Sequence, residues 1–203
     1  MDREVWFGRA RFACPFILVA SLFGSGCATP YVDGALRNVS AEQIRRPSRP
    51  QDVQLLFTFR TKGTDNIKVT DALKSEVEAA VASSHLFVTQ SGAPALSGAI
   101  LNVVIDNVPL DDSAFAKGFA TGLTLGLAGN VVTDGYICTV DFVSPQGKKV
   151  TKTIRHAIHT TIGAKGAPAN GVKAKSLEEA AHTMTRQVVT AALKDLAEDP
   201  VFK

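Results

Sequence analysis

Val-Gln-Leu-Leu-Phe-Thr-Phe-Arg, residues 53–60, is the stretch that decides the fold. Its apolar residues Val53, Leu55, Phe57 and Phe59 recur at every second position, with mostly polar residues between them. A period of two places alternate side chains on the same face of a strand. The stretch therefore predicts a β-strand that is buried on one face.

The segments downstream alternate between strand and helix patterns. Apolar residues at helical spacing predict a helix over residues 71–83, with Thr70 as its N-cap. A capping box at Ser176–Glu179 opens a second helix, which runs to about Glu198 before Pro200. Further strands are predicted at residues 86–90, 96–108, 136–144 and 149–162, the last two forming a hairpin.

The element order is β-α-β-β, an insert, then β-β-α, within a single domain over residues 53–203. We predict an α+β fold, an antiparallel sheet of about five strands with two helices packed on one face.

Three consecutive elements carry a resemblance to known proteins. They are the helix 71–83, the Leu-Phe-Val strand at 86–88, and Ala-Leu-Ser-Gly-Ala-Ile at 95–100, which begins the next strand. The series resembles the periplasmic α/β domain of the curli-secretion pore lipoproteins and is similar to the N-terminal domain of the Tol-system β-propeller proteins. It is a pattern of elements without a diagnostic motif, so it implies the fold rather than an activity.

The insert, residues 110–133, interrupts the strand pattern with glycines at four-residue spacing. In a helix such glycines lie on one face, where a second backbone can approach closely, as in a glycine zipper. No charged residue occurs from Gly118 to Val132. The candidate residues for self-association or membrane contact are Gly118, Gly122, Gly126, Phe119 and Leu123.

Three interpretations of the insert are open from the sequence. It is a glycine-rich helix that packs on its own sheet or on a sister subunit, or a segment that dips into the membrane surface. Alternatively, it is a flexible loop, because each glycine costs a helix about 1 kcal/mol relative to alanine. The uncharged run is shorter than the roughly 20 residues needed to span a bilayer.

Residues 1–26 have the composition of a signal peptide. Arg3, Arg9 and Arg11 precede an apolar run at residues 12–23, which is too short to cross a bilayer as a helix. Small residues follow at 24–26, as a signal peptidase requires beside the scissile bond.

The leader ends in Ser-Gly-Cys, which resembles the bacterial lipobox, although Gly24 stands where that motif usually has Leu. The resemblance implies cleavage before Cys27 and a lipid anchor on this cysteine, a diacylglyceryl group with fatty acids such as palmitate. Ala28 follows instead of Asp, which implies the periplasmic face of the outer membrane rather than the inner membrane. Residues 27–52, with several prolines and arginines, are predicted to be an extended tether, either solvated or with its arginines on anionic headgroups.

The sequence offers no catalytic, metal or cofactor motif, and we expect a protein that is not an enzyme. His156 and His159 are three residues apart on a strand, hence on opposite faces and a poor metal pair. We predict that the histidines are scattered on the surface and that Cys138 is a small buried residue. A net charge of +3 does not argue for nucleic acid.

The prediction for function is therefore a lipid-anchored periplasmic protein that binds an envelope protein partner or forms a homo-oligomer. The alternative is a subunit of an outer-membrane pore or secretion channel, in which residues 110–133 enter the membrane. Binding of a lipid or envelope polymer by the sheet face is a third possibility without a specific residue to support it.

Overall fold

One sheet of eight strands and two helices make up the described part of the computed structural model, which covers residues 28–108, 110, 131–163, 166–200 and 202. The strands are β1 Ala28–Asp33, β2 Gln51–Thr61, β3 Thr64–Asp65, β4 Phe87–Ser91, β5 Ile100–Val108, β6 Val131–Val143, β7 Lys149–Ile162 and β8 Gly171–Lys173. The α-helices are α1 Ile67–Ser83 and α2 Leu177–Ala197, and a 3-10 turn occupies Ala41–Gln43.

The sheet is mixed, so the predicted antiparallel sheet of about five strands is wrong. The strand order is β3-β2-β5-β6-β7-β1-β8, and β4 lies along the same edge of β2 as β3. β2 is parallel to β5 and to β4, whereas the other pairs are antiparallel. The physical reason is α1, which carries the chain back along the sheet so that the next strands start at the same end as β2. The α+β class and the two helices agree with the prediction.

The core lies between the sheet and both helices. Leu55 pairs with Leu101 and Phe59 with Ile105, which places the apolar face of β2 beside that of β5. Leu101 and Ile105 are fully buried, and burial of each such side chain stabilises the fold by about 1.5–3 kcal/mol. The alternation that predicted this strand is confirmed, as is the hairpin of β6 and β7.

α1 begins at Ile67, four residues earlier than predicted, because Asn66 is its N-cap. The Asn66 side chain accepts a hydrogen bond from the Val69 amide at 3.3 Å. Thr70 instead joins the helix to the sheet, since its hydroxyl accepts from the Phe59 amide and donates to the Asn66 carbonyl, both at 2.9 Å. The prediction of Thr70 as the N-cap is therefore wrong, and Thr70 lies in the first turn of α1.

The start of α2 is as predicted. Ser176 Oγ accepts from the Glu179 amide at 3.0 Å, and Glu179 Oε2 accepts from the Lys175 amide at 2.6 Å. The helix ends with Glu198 as its C-cap. Its buried residues occupy more than one side, because α1, β6, β7 and β1 all contact it.

Residues 28–52 differ from the predicted tether, because they contribute to the sheet and the core. β1 pairs with β7 on one side and with β8 on the other. Val32 is 2% exposed and Ile44 is 4% exposed, both within the main hydrophobic core. The Pro30 carbonyl accepts from the Ala174 amide, just beyond the end of β8. Pro30 fits in β1 because β8 does not extend alongside it, so no residue of β8 requires a hydrogen bond from the Pro30 nitrogen.

Gly34, the residue after β1, lies close against the backbone of Asn170. Its amide donates to the Asn170 carbonyl at 2.8 Å, and an added Cβ would collide with that same carbonyl oxygen. We therefore expect Gly34→Ala to lower the free energy of unfolding by about 1–3 kcal/mol, as overpacking does. Chemical denaturation measures this change.

Gly166→Ala is the matched control, since a Cβ at Gly166 has no neighbour within 4 Å. Equal stability of Gly34→Ala and the wild type would contradict the close approach.

Candidate functional site

The described residues that border the leader and the glycine-rich segment lie at one end of the sheet. Ala28, which follows Cys27, pairs with Ile162 of β7. Val131, which follows the glycine-rich segment, pairs with the neighbouring residue Thr161 on the other side of β7. Ala28 and Val131 are therefore two strand spacings apart, roughly 10 Å. We call this end of the sheet, defined by Ala28, Val131 and Ile162, the anchor end.

The other border of the insert lies near the same end. β5 finishes at Val108, whose partner on β6 is Gly135. Residues 131–133, predicted to belong to the insert, are instead the first residues of β6. The predicted site residues Cys27, Gly118, Gly122, Gly126, Phe119 and Leu123 lie outside the described residues.

A buried polar cluster crosses three strands beside the anchor end, on the sheet face away from the helices. His159 Nδ1 lies 2.9 Å from Thr133 Oγ1, and His159 Nε2 lies 3.2 Å from Asp33 Oδ2. His159 and Asp33 are both fully buried. The carboxylate of Asp33 also accepts from the Ala35 amide at 2.7 Å. A carboxylate only accepts, so the Nε2–H of His159 donates to Asp33, while Nδ1 faces the Thr133 hydroxyl.

His156 occupies the opposite, helix-facing side of β7. It is fully buried, and its Nε2 donates to Gln187 Oε1 at 2.6 Å, whereas Nδ1 has no hydrogen-bond partner among the described residues. Burial lowers the pKa of His156, and the hydrogen bond to Gln187 acts in the opposite direction. His156 is thus held neutral in the folded protein.

The prediction of surface histidines is wrong for His156 and His159, although their placement on opposite faces is right. β7 is buried on both faces from His156 to His159. A signal for this was present in the sequence, because no Lys, Arg, Asp or Glu occurs in β7 after Arg155. In this half of β7, successive side chains are buried on both faces of the sheet and do not alternate between buried and exposed.

Burial also affects other titratable groups of β6, of which Asp134 is half-buried and Tyr136 and Cys138 are buried. Burial raises the pKa of Asp134, against the opposing hydrogen bond to Asn107. Burial and the neighbouring Asp134 raise the pKa of Tyr136. Burial alone raises the pKa of the Cys138 thiol to about 12, so this cysteine stays protonated at neutral pH, as a small buried residue.

Within residues 28–108, 110, 131–163, 166–200 and 202, no group of three His, Cys, Asp or Glu side chains is placed to hold a metal ion. Neither of the two helices in this part of the chain is long and apolar enough to cross a membrane.

The lowered pKa of His156 predicts acid sensitivity. The folded state holds His156 neutral, whereas the unfolded chain binds a proton near pH 6.5, so the stabilising effect is complete above that pH and is lost as the pH falls below it. We expect His156→Gln to reduce the loss of unfolding free energy between pH 7.5 and 5.5, measured by urea denaturation. Identical pH dependence in the wild type and the variant would contradict this account.

Comparison with known proteins finds similar chains among solved structures. No protein-family model matches the chain, and no curated protein matches it. Among solved structures, a PelC dodecamer from Paraburkholderia phytofirmans is 10% identical, with 85% of this chain and 99% of that chain covered and a TM-score of 0.34. A minor lipoprotein from Acinetobacter baumannii is 13% identical, with 74% and 90% covered and a TM-score of 0.33. The latter is a lipoprotein by name, the class that the leader predicts here, but likenesses this distant carry no argument about function.

Proposed function

We propose that this chain is a lipid-anchored protein of the bacterial envelope, held by Cys27 on the periplasmic face of the outer membrane. It acts by association with an envelope partner or with other copies of itself. The observation that carries the proposal is the anchor end, where the residue after Cys27 and the exit of the glycine-rich segment lie two strands apart.

The position of Ala28 determines how far the domain can move from its anchor. A tether of about 25 residues would allow roughly 80–90 Å. Because Ala28 is already paired in the sheet, the anchor end instead stays beside the acylated Cys27. Val132 and Ile162 expose 51% and 46% of their surface at this end, as expected for a part of the domain that rests near lipid.

The positions of Arg45 and Arg46, in the segment predicted to be a tether, do not favour contact with lipid headgroups. Arg45 and Arg46 line a small pocket with Ala197 and Phe202. The Phe202 ring lies 5.0 Å from that of Phe142, which belongs to the hairpin end of β6, far from the anchor end. We infer that these arginines face the periplasm.

The described borders of the glycine-rich segment, Val108 and Val131, both lie at or near the anchor end. In the proposed arrangement, copies of the chain anchored in one membrane hold these borders at a similar height. This favours contact between neighbouring copies through Gly118, Gly122 and Gly126. The position of the borders also supports the second candidate, a channel subunit in which the segment up to residue 130 enters the bilayer.

The anchor is tested by Cys27→Ala. We expect this variant to lose incorporation of labelled palmitate and to leave the membrane fraction, because the thiol that accepts the diacylglyceryl group is gone. Cys14→Ala changes a cysteine of the leader and is the matched control, with wild-type labelling and fractionation. Palmitate labelling of Cys27→Ala at the wild-type level would contradict the proposal.

Association through the glycines is tested by Gly122→Leu. A bulky side chain on the glycine face prevents close approach, so we expect cross-linked oligomers in membranes to decrease while the thermal unfolding of the domain is unchanged. Ala120→Leu, on the opposite face of such a helix, is the control. Unchanged cross-linking of Gly122→Leu would contradict self-association through this face.

The channel alternative makes a different prediction. A segment inserted in the bilayer is protected from a protease on the lumenal side of outer-membrane vesicles, whereas one that contacts a neighbouring copy outside the lipid is cleaved. Complete lumenal cleavage within residues 110–130 contradicts the channel.

A further inference from the structure

The outer edge of β2 is interrupted between its two neighbours. β4 pairs with Gln51–Gln54, and β3 pairs with Arg60 and Thr61. Between these two strands, the described part of the chain places no strand against the edge of β2 opposite β5. This gap lies in the middle of β2, between Gln54 and Arg60.

Phe57 presents its backbone to the gap. The amide of Phe59 donates to Thr70 Oγ1 at 2.9 Å, and its carbonyl accepts from the Asn66 amide at 2.8 Å, so both groups of Phe59 point away from β5. Residues two apart on a strand direct their amide and carbonyl to the same side. The N–H and C=O of Phe57 therefore point into the gap, where the described residues offer no hydrogen-bond partner.

A groove runs along this backbone, between β2 and α1. It has a volume of about 240 Å³. Its wall carries apolar groups from Leu55, Phe57 and Val77. Leu56, also at the groove, exposes 40% of its surface, which is high for a leucine in a central part of a strand.

Charged side chains of α1 form the rim of the groove. They are Asp71, Lys74 and Glu78. None of them is in a salt bridge with another described residue, whereas Glu76, on a different side of α1, binds both His182 and Arg186. Two carboxylates against one amine give the rim a net charge of −1, which complements a basic side chain.

We propose that this groove binds an extended peptide segment of a partner protein by strand addition. The peptide backbone pairs with the N–H and C=O of Phe57, an apolar side chain packs on Leu55 and Val77, and a flanking Lys or Arg lies near Asp71 or Glu78. Main-chain hydrogen bonds supply affinity in this mode, and side-chain pockets supply specificity. The inference goes beyond the proposed function, since it names a second surface and the chemistry of its ligand.

The groove is accessible in the anchored protein. Leu55 pairs with Leu101, Leu101 with Phe142, and Phe142 with Val150. Val150 is about twelve residues along β7 from Ile162, or roughly 40 Å at 3.3 Å per residue. A periplasmic partner can therefore reach the groove while the anchor end rests on the membrane.

The experiment measures fluorescence anisotropy of a fluorescein-labelled Lys-Val-Thr-Val-Lys peptide with the full-length chain in detergent. We expect saturable binding that weakens about tenfold or more when the peptide is N-methylated at its three central residues, because the backbone donors are lost. Replacing both peptide lysines with Gln should also weaken binding, as should Glu78→Lys in the protein.

Gly92→Trp is the blocking variant. Gly92 lines the groove, and an added Cβ there meets no described atom within 4 Å, so a tryptophan fits at the edge of the groove without a clash at its Cβ. Gly166→Trp, at an equally open glycine outside the groove, is the matched control. We expect binding to be lost in Gly92→Trp and retained in Gly166→Trp.

Three results would overturn the inference. The first is the absence of saturable binding, and the second is equal affinity in both tryptophan variants. The third is an oligomer size that changes in Gly92→Trp without peptide binding, which assigns the groove to a second copy of the chain. None of them depends on Cys27 or Gly122, so failure here is distinct from failure of the proposed function.

Discussion

The buried contact between Asp33 and His159 is the interaction on which the anchor end depends. A carboxylate without exposure to water is tolerated only when its oxygens are bound, and here His159 and the Ala35 amide both donate to it. The contact fixes β1 against β7, and β8 in turn has β1 as its strand partner. The polar pair thus adds to the strand pairing that places Ala28 and Val131 on either side of β7.

Local patterns predicted the elements whose environment is local. The alternation from Val53 to Phe59 identified a strand with one buried face, and the Ser176 capping box located the start of α2. The parallel pairing of β2 with β5 was missed because it depends on the path of α1 and not on any pattern within either strand.

β1 was missed because its six residues, with Pro30 among them, show no apolar periodicity. The strand is stabilised instead by pairing with β7 on one edge and with β8 on the other.

The candidate site shows the same division. Sequence composition drew attention to Cys27 and the glycine-rich segment. The proximity of the residues that follow them, Ala28 and Val131, comes from the register of β7 with β1 and β6, which joins residues far apart in the chain. The buried histidines were missed for a related reason. Their burial is set by the neighbours on either side of β7, Asp33 and Thr133 on one face and Gln187 on the other. The Phe57 gap also arises from pairing, because it exists only where β3 and β4 stop.

The position of β1 has a consequence for the order of events as the chain is made. Thr29 and its contact Thr161 are 132 residues apart, so the first strand remains without a partner until almost the whole polypeptide has emerged. In the proposed envelope setting, residues 28–33 are therefore extended and accessible while the leader is removed and Cys27 is acylated. Completion of the sheet then pairs these residues with β7 and β8. The topology thus places the processing of the leader before the pairing of the first strand.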